Sequence, residues 1–212
     1  MDRNELERII REKLQEIIAD NIRNTFMVEA SGRHVHLSRE HLEELFGKGY
    51  ELTHSKDLSQ PGQFAAKERV RVIGPKGEFS NVAILGPCRN FSQVELSLTD
   101  CREIGVRGVV RESGKIKDTP GILIGVGDKY VQLKEGAIVA KRHVHMTPAD
   151  AENFKVKDGE TVKVKVNSER PVIFDDVLIR VRDNFSLSMH IDFDEANSCG
   201  FTSGVTGSIF RE

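Results

Sequence analysis

Residues 33–38 read Arg33-His34-Val35-His36-Leu37-Ser38, and residues 142–147 return as Arg142-His143-Val144-His145-Met146-Thr147. Alternate side chains of a strand project to one face, so each His-x-His aims two imidazoles the same way. Four of the seven histidines sit in these two copies. Each copy runs into a helix start. Ser38 stands as N-cap before Arg39–Phe46, which Gly47 closes. Thr147 caps the second, with Pro148 in the first position, Asp150 in the capping-box position, Ala149 to Phe154 as the body and a Lys157-Asp158-Gly159 turn beyond. The unit of strand, capped helix, turn and strand is thus spelled twice. Imidazole is the commonest protein metal ligand, so the repeat predicts a metal site where two similar halves meet.

Outside the two copies the pattern is β. Arg69–Ile73 alternates, Gly74–Gly77 turns, and Glu78–Leu85 alternates again. Thr161–Val166, Val177–Arg182 and Phe185–Ile191 read as further strands, as do Phe91–Leu98 around Glu95 and Ser186–Asp194 around His190. Short strands with regular turns predict barrels or sandwiches. The polar stretch 111–120 is expected to be a mobile loop or linker. Residues 2–22 are the one clear helix: Leu6, Ile9, Ile10, Leu14, Ile17 and Ile18 make one apolar stripe, with Asp2 or Asn4 as its cap. Such a helix packs on its own domain or a second subunit, or is a detachable peptide that docks elsewhere. The expected division is 1–25 for this helix, 26–125 and 126–212 for two related β-domains, with the strand at 26–30 pairing with either.

Length and composition narrow the rest. The 212 residues suffice for one large or two small domains, and 38% hydrophobic with 30% charged residues fits a globular chain. A net charge of −2 gives no reason to expect nucleic acid or an anionic membrane as partner. Apolar runs such as Ile122–Ile124 are far too short to span a bilayer, and no signal peptide is visible, so a cytoplasmic location is expected. Three scattered cysteines without CxxC spacing read as small core residues in a reducing compartment.

Three protein ligands and an open position make the catalytic zinc pattern. Each His-x-His needs one more ligand, and Glu95 and His190 are the candidates. Asp192 and Asp194 are alternatives as ligands, as partners to imidazole N–H groups, or as solvent-facing acids. His41 and His54 read as solvated. Two neighbouring metals suit attack of an oxygen nucleophile on a polarised carbonyl or phosphoryl group, which leaves a hydrolase or a group transferase. Arg89, in the turn Gly86–Asn90, is suited to an anion.

Gly32–Ser38, Leu85–Ser97 and Lys141–Thr147, in this order, resemble the PduL-type phosphate acyltransferases (phosphate propanoyltransferases, or phosphotransacylases), over about residues 25–210. The resemblance implies a mainly β fold: two tandem similar antiparallel β-barrels with short capping helices, plus the N-terminal amphipathic helix. It implies two zinc ions, one on His34, His36 and Glu95, the other on His143, His145 and His190, although imidazole and carboxylate accept other divalent metals too. Arg89 matches the family's phosphate-binding arginine and Gln63 falls near the phosphate. Ser31, Lys56, Leu85 and Asn197 match positions lining the coenzyme A pocket. The implied reaction is a short-chain acyl-CoA, propanoyl or acetyl, plus phosphate giving acyl phosphate plus CoA, reversibly, in a homodimer. Direct attack by phosphate is expected, since no Cys or Ser with an adjacent base stands out. Microcompartment members of the family carry an encapsulation peptide, and residues 2–22 look like one, which would place the enzyme inside a bacterial microcompartment against shell or lumen proteins. The alternatives are a dinuclear metallo-hydrolase with water as nucleophile, and a non-enzymatic protein with structural histidines.

Overall fold

The computed structural model describes residues 5–14 and 24–211. A helix, α1, covers residues 5–14. It is followed by β1 (Thr25–Ser31), β2 (His34–His36), α2 (Arg39–Phe46), β3 (His54–Asp57), β4 (Phe64–Ile73), β5 (Glu78–Gly86), β6 (Gln93–Glu95), α3 (Leu98–Ile104), β7 (Val110–Arg111), β8 (Ile122–Val126), β9 (Lys129–Leu133) and β10 (Ala137–Ala140). The second half carries β11 (His143–Met146), α4 (Pro148–Phe154), β12 (Thr161–Asn167), β13 (Val172–Val181), β14 (Ser188–Asp192), α5 (Phe193–Ser198) and β15 (Thr206–Phe210).

These strands form two sheets over two separate cores. The second sheet closes into a barrel in the order β1-β14-β11-β13-β12-β15. The first runs β7-β10-β6-β2-β5-β4-β8-β9, with β3 on β4, and curls without closing. Two barrels are therefore one closed barrel and one half-barrel. The closing strand is β1, paired parallel with β14 and antiparallel with β15. Its alternation explains the choice: Phe26 and Val28 are buried in the second core while Met27 is exposed. Nor is the pairing purely antiparallel. Each His-x-His strand has one parallel and one antiparallel neighbour, β5 and β6 for β2, and β13 and β14 for β11.

The internal repeat goes deeper than the two His-x-His phrases. His34 faces Glu95 across the β2–β6 pair, and His143 faces His190 across β11–β14. Two residues beyond Glu95, Ser97 caps α3; two residues beyond His190, Asp192 caps α5; both form reciprocal capping boxes. Glu95 and His190 are thus equivalent positions. The caps also shorten two expected strands. The strand expected over 91–98 ends at Glu95 and that over 186–194 ends at Asp192, because a capped helix begins in each.

The crossings between sheets position the site. The chain passes from β1 in the barrel to β2 in the half-barrel through Gly32-Arg33, and returns from β10 to β11 through Lys141-Arg142. Each crossing leads directly into a His-x-His. At Gly32 a Cβ would come within 2.9 Å of the Phe193 ring, so any side chain there requires that ring to move. The chain changes sheet after Ala140, and residue 125 lies inside the β8–β9 hairpin. The 111–120 stretch starts in β7, paired with β10, and its Ser113 enters the central cavity. Of the N-terminal helix, 5–14 is helical and leaves Leu6, Ile9, Ile10 and Leu14 exposed by 38–52%; packing of this stripe on its own domain is not seen there. Ile17, Ile18 and the expected caps Asp2 and Asn4 lie outside the described residues. No helix among the described residues is long and apolar enough to cross a membrane.

Met189 is fully buried and pairs with Val28 and Val144, at the seam between the closing strand and the second His-x-His. Met189→Ala is expected to lower the unfolding free energy by about 2–5 kcal/mol in a urea titration, whereas Lys165→Ala on the exposed face of β12 should stay within about 0.5 kcal/mol.

Candidate metal centre and active site

A cavity of about 510 Å³ lies at the junction of the two sheets. All six candidate ligands line it, together with Arg89, Gln63, Ser31 and Leu85. Alternation within each short strand produces this. Val35 and Val144 are fully buried in the two cores, so the histidines on either side face the opposite way, into the cavity.

The first trio is arranged as a ligand set. His34 Nε2 lies 3.5 Å from Glu95 Oε2, and His36 Nε2 lies 3.8 Å from Glu95 Oε1. Ligand atoms of the three residues all fall within 4.8 Å of one another, and this is the only such group among the described residues. His34 Nδ1 donates to Gly32 O at 2.9 Å and His36 Nδ1 to Leu85 O at 3.3 Å. A carbonyl can only accept, so both rings donate through Nδ1 and present Nε2 to Glu95 and the cavity. Glu95 is itself fixed: its Oε1 accepts from Gln93 Nε2 at 2.6 Å and from Ser113 Oγ at 2.8 Å. Gln93 is held in turn by the Gly114 N–H, which donates to its Oε1 at 2.8 Å.

The charges here hold one another. Burial opposes ionisation of Glu95, yet His34 outweighs it and keeps the carboxyl well below its usual range. Burial also works against His34⁺, but Glu95 overcomes it and the net shift is upward. His36, penalised by burial and then by His34, is held well below the ordinary histidine value. One buried carboxylate facing two imidazoles is a donor set that fits a divalent cation.

The second trio differs. The rings of His143, His145 and His190 gather with centroids 4.6–5.2 Å apart. His143 Nδ1 donates to Lys141 O at 2.8 Å, repeating the His34–Gly32 contact. Burial pushes His143 down to about 3 and His145 down to about 2, so both are neutral, the form that ligates metal. Among the described residues the buried His145 Nδ1 has no partner, an orphan atom that a bound group would explain. His190 is engaged on both nitrogens, Nε2 with Ser188 Oγ at 3.0 Å and Nδ1 beside Glu29 Oε2 at 3.7 Å. Gln60 reaches over from the half-barrel and donates from Nε2 to Ser186 O and Ser188 Oγ, each at 2.9 Å.

Arg89 is half-buried on the cavity wall. Its backbone N–H donates to Leu37 O at 2.9 Å, and its Nη1 donates to Ser113 Oγ at 3.2 Å. The remaining expected residues separate. Asn197 lines a second cavity of about 430 Å³, which shares Ala30 with the first. Lys56 is exposed on β3 and lines neither. Asp192 lines the main cavity while its side chain caps α5, and Asp194 accepts the Thr99 N–H at 2.8 Å. His54 pairs with Asp57 on the surface, and His41 Nδ1 meets Ser92 Oγ at 2.7 Å. All three cysteines are free, with Cys101 and Cys199 buried.

Sequence reasoning missed Gln60, Ser113 and Arg180 at this cavity, and Gln93 behind Glu95. The period of two in the strand Val177–Arg182 carried a signal for Arg180, since it places its guanidinium on the face of Leu178 and Arg182. Ser113 lay in a stretch whose polar composition looks like any solvated loop, and a lone loop glutamine such as Gln60 carries no pattern.

A family model described as phosphate propanoyltransferase matches residues 27–202. The chain is 81% identical over 209 residues to a phosphate propanoyltransferase of Leptotrichia buccalis, covering 99% of both chains. It is 69% identical over 212 residues to that of Sebaldella termitidis, covering all of both, and 58% identical over 185 residues to that of Listeria monocytogenes, covering 87% of each.

Ser113→Ala removes one of the two side-chain donors that orient Glu95. It is expected to weaken the affinity of the His34, His36 and Glu95 trio for added divalent zinc by about 10- to 100-fold in a competitive chelator titration; an unchanged affinity would show that Glu95 needs no such support.

Proposed function

The chain belongs to the phosphate propanoyltransferase family, and we propose that it converts propanoyl-CoA or acetyl-CoA plus phosphate into acyl phosphate plus CoA by direct attack of phosphate on the thioester. That it is an acyltransferase working with phosphate follows from the family. The supporting observation for the rest is the convergence of six candidate ligands and Arg89 on one cavity.

His34, His36 and Glu95 would hold one divalent ion, zinc by the family resemblance, and His143, His145 and His190 a second. Bound there, such ions supply Lewis acidity to the thioester carbonyl and a soft partner for the departing thiolate. The protein does the remainder. Arg89 binds and orients phosphate, with Gln63 beside it, which lowers the entropy cost of bringing two reactants together. A phosphate oxygen bonds to the carbonyl carbon, the C–S bond breaks, and its electron pair leaves on sulfur. Among the described residues neither the cysteines nor Ser188 is suited to carry the acyl group. Burial pushes the Cys101 thiol up to about 11 and raises Cys88 and Cys199 as well. Ser188, though 3.0 Å from His190 Nε2, is 2% exposed, is held by Gln60 and does not line the cavity. The comparisons lend nothing to the reading of water as nucleophile.

Coenzyme A would contact Ser31 and Leu85 in the main cavity and pass Ala30 to reach Asn197 in the second, with Lys56 meeting it at the exposed rim. The two sheets would act as two domains, within a homodimer. The exposed apolar stripe of α1 suits docking onto shell or lumen proteins of a microcompartment in the cytoplasm.

CoA thiol release from propanoyl-CoA should require phosphate, should be lost on chelation and should return with zinc. Full-rate release in the absence of phosphate would overturn the reading. Arg89→Ala should raise the phosphate KM by about 10- to 100-fold with zinc content unchanged by atomic absorption. Deleting residues 1–22 should leave kcat within about twofold; loss of catalysis would make the helix part of the folded enzyme instead.

A further inference from the structure

The repeat that equates Glu95 with His190 also pairs the cavity's cationic positions. The backbone N–H of Arg89 donates to Leu37 O, the carbonyl just after the first His-x-His, at 2.9 Å. In the second half the Arg182 N–H donates to Met146 O at 3.0 Å, in the same place. Arg182 is therefore the positional twin of Arg89, but it is exposed. Two residues earlier, Arg180 shares its face of β13 and lies deeper, half-buried against the cavity and directly opposite His145 in the strand register. Its own twin is Leu85, since Val144 pairs with Ile179 as Val35 pairs with Ile84. One half thus places a leucine where the other places a guanidinium.

Arg180 has no structural employment. Among the described residues it has no hydrogen-bond acceptor and no carboxylate within ion-pair distance, only the ring of Phe185 with its centroid 5.8 Å away. Arg89 is in a similar state, since its hydrogen-bond partner is the neutral Ser113 hydroxyl. Burial lowers the proton affinity of both guanidinia; Arg180 adds to the lowering at Arg89 and Arg182 to that at Arg180, while Glu95 acts against it at both. Two half-buried guanidinia with no carboxylate in ion-pair contact gain from an anion that joins them. A phosphate dianion offers several acceptor oxygens in the geometry that a guanidinium fork matches.

Resting on the phosphate acyltransferase reading, we propose that Arg180 is a second phosphate-binding residue, holding the attacking phosphate from the closed barrel while Arg89 holds it from the half-barrel. Phosphate would then tie the two sheets together as it binds, and Arg180 would select a doubly charged tetrahedral nucleophile over water.

The test compares wild-type protein with Arg180→Ala and Arg180→Lys in steady-state kinetics on both substrates, with sulfate as a non-reacting phosphate mimic. In Arg180→Ala the phosphate KM and the sulfate inhibition constant should rise together by about 10- to 100-fold. The propanoyl-CoA KM should stay within about twofold, zinc content should match wild type, and the phosphate-induced rise in melting temperature should shrink. Arg180→Lys should recover part of the loss. An unchanged phosphate KM and sulfate constant, or a loss confined to the propanoyl-CoA KM, overturns the assignment. If the alanine variant does not fold, Arg180→Gln keeps the stem without the charge and is judged by the same two constants. Wild-type thiol release that ignores phosphate would instead overturn the acyltransferase reading itself.

Discussion

Everything at the centre of this molecule depends on two valines. Val35 and Val144 are anchored in separate hydrophobic cores with no exposed surface, and in strands of three and four residues that anchoring leaves the flanking imidazoles one direction to point. A strand that slipped by one residue would send the histidines into the core and the valine into the cavity, at the cost of burying polar rings without partners. The serine or threonine cap two residues beyond each pair stops the strand at the same place in both halves. Register, and with it the aim of four histidines, is set by packing on the side facing away from the chemistry.

The crossings turn those two local arrangements into one site. Each His-x-His begins where the chain leaves one sheet for the other, so the ends of β2 and β11 lie at the seam, and their partners β6 and β14 bring Glu95 and His190 with them. The first histidine of each pair donates to a carbonyl of its own crossing segment, Gly32 or Lys141. The ring orientation is therefore tied to the connection itself, and a change in how the sheets abut would be felt at the imidazoles.

Pseudo-symmetry in the backbone does not extend to charge. The half-barrel supplies a buried carboxylate, braced by Gln93 and Ser113; at the equivalent position the barrel supplies His190, with Ser188 in the place of Gln93. The barrel adds Arg180 where the half-barrel has Leu85. One wall thus has the anionic donor set and the other is neutral to cationic.

The repeated phrase, its caps and its alternation were legible in the sequence because they are local: φ/ψ preference, capping chemistry and a period of two act within a few residues. So were the mainly β class and, through the order of three motifs, the family. Contacts between distant segments decided the rest. Strand 25–31 reads equally well beside either half, and only the burial of Phe26 and Val28 in the second core makes it the strand that closes the barrel. Ser113 and Gln60 look like ordinary loop residues until the fold carries one to Glu95 and the other to Ser188. The chain by itself determined which side chains share a face; the tertiary structure decided which faces meet, because long-range pairing depends on burying apolar surface and satisfying strand edges far apart in the sequence.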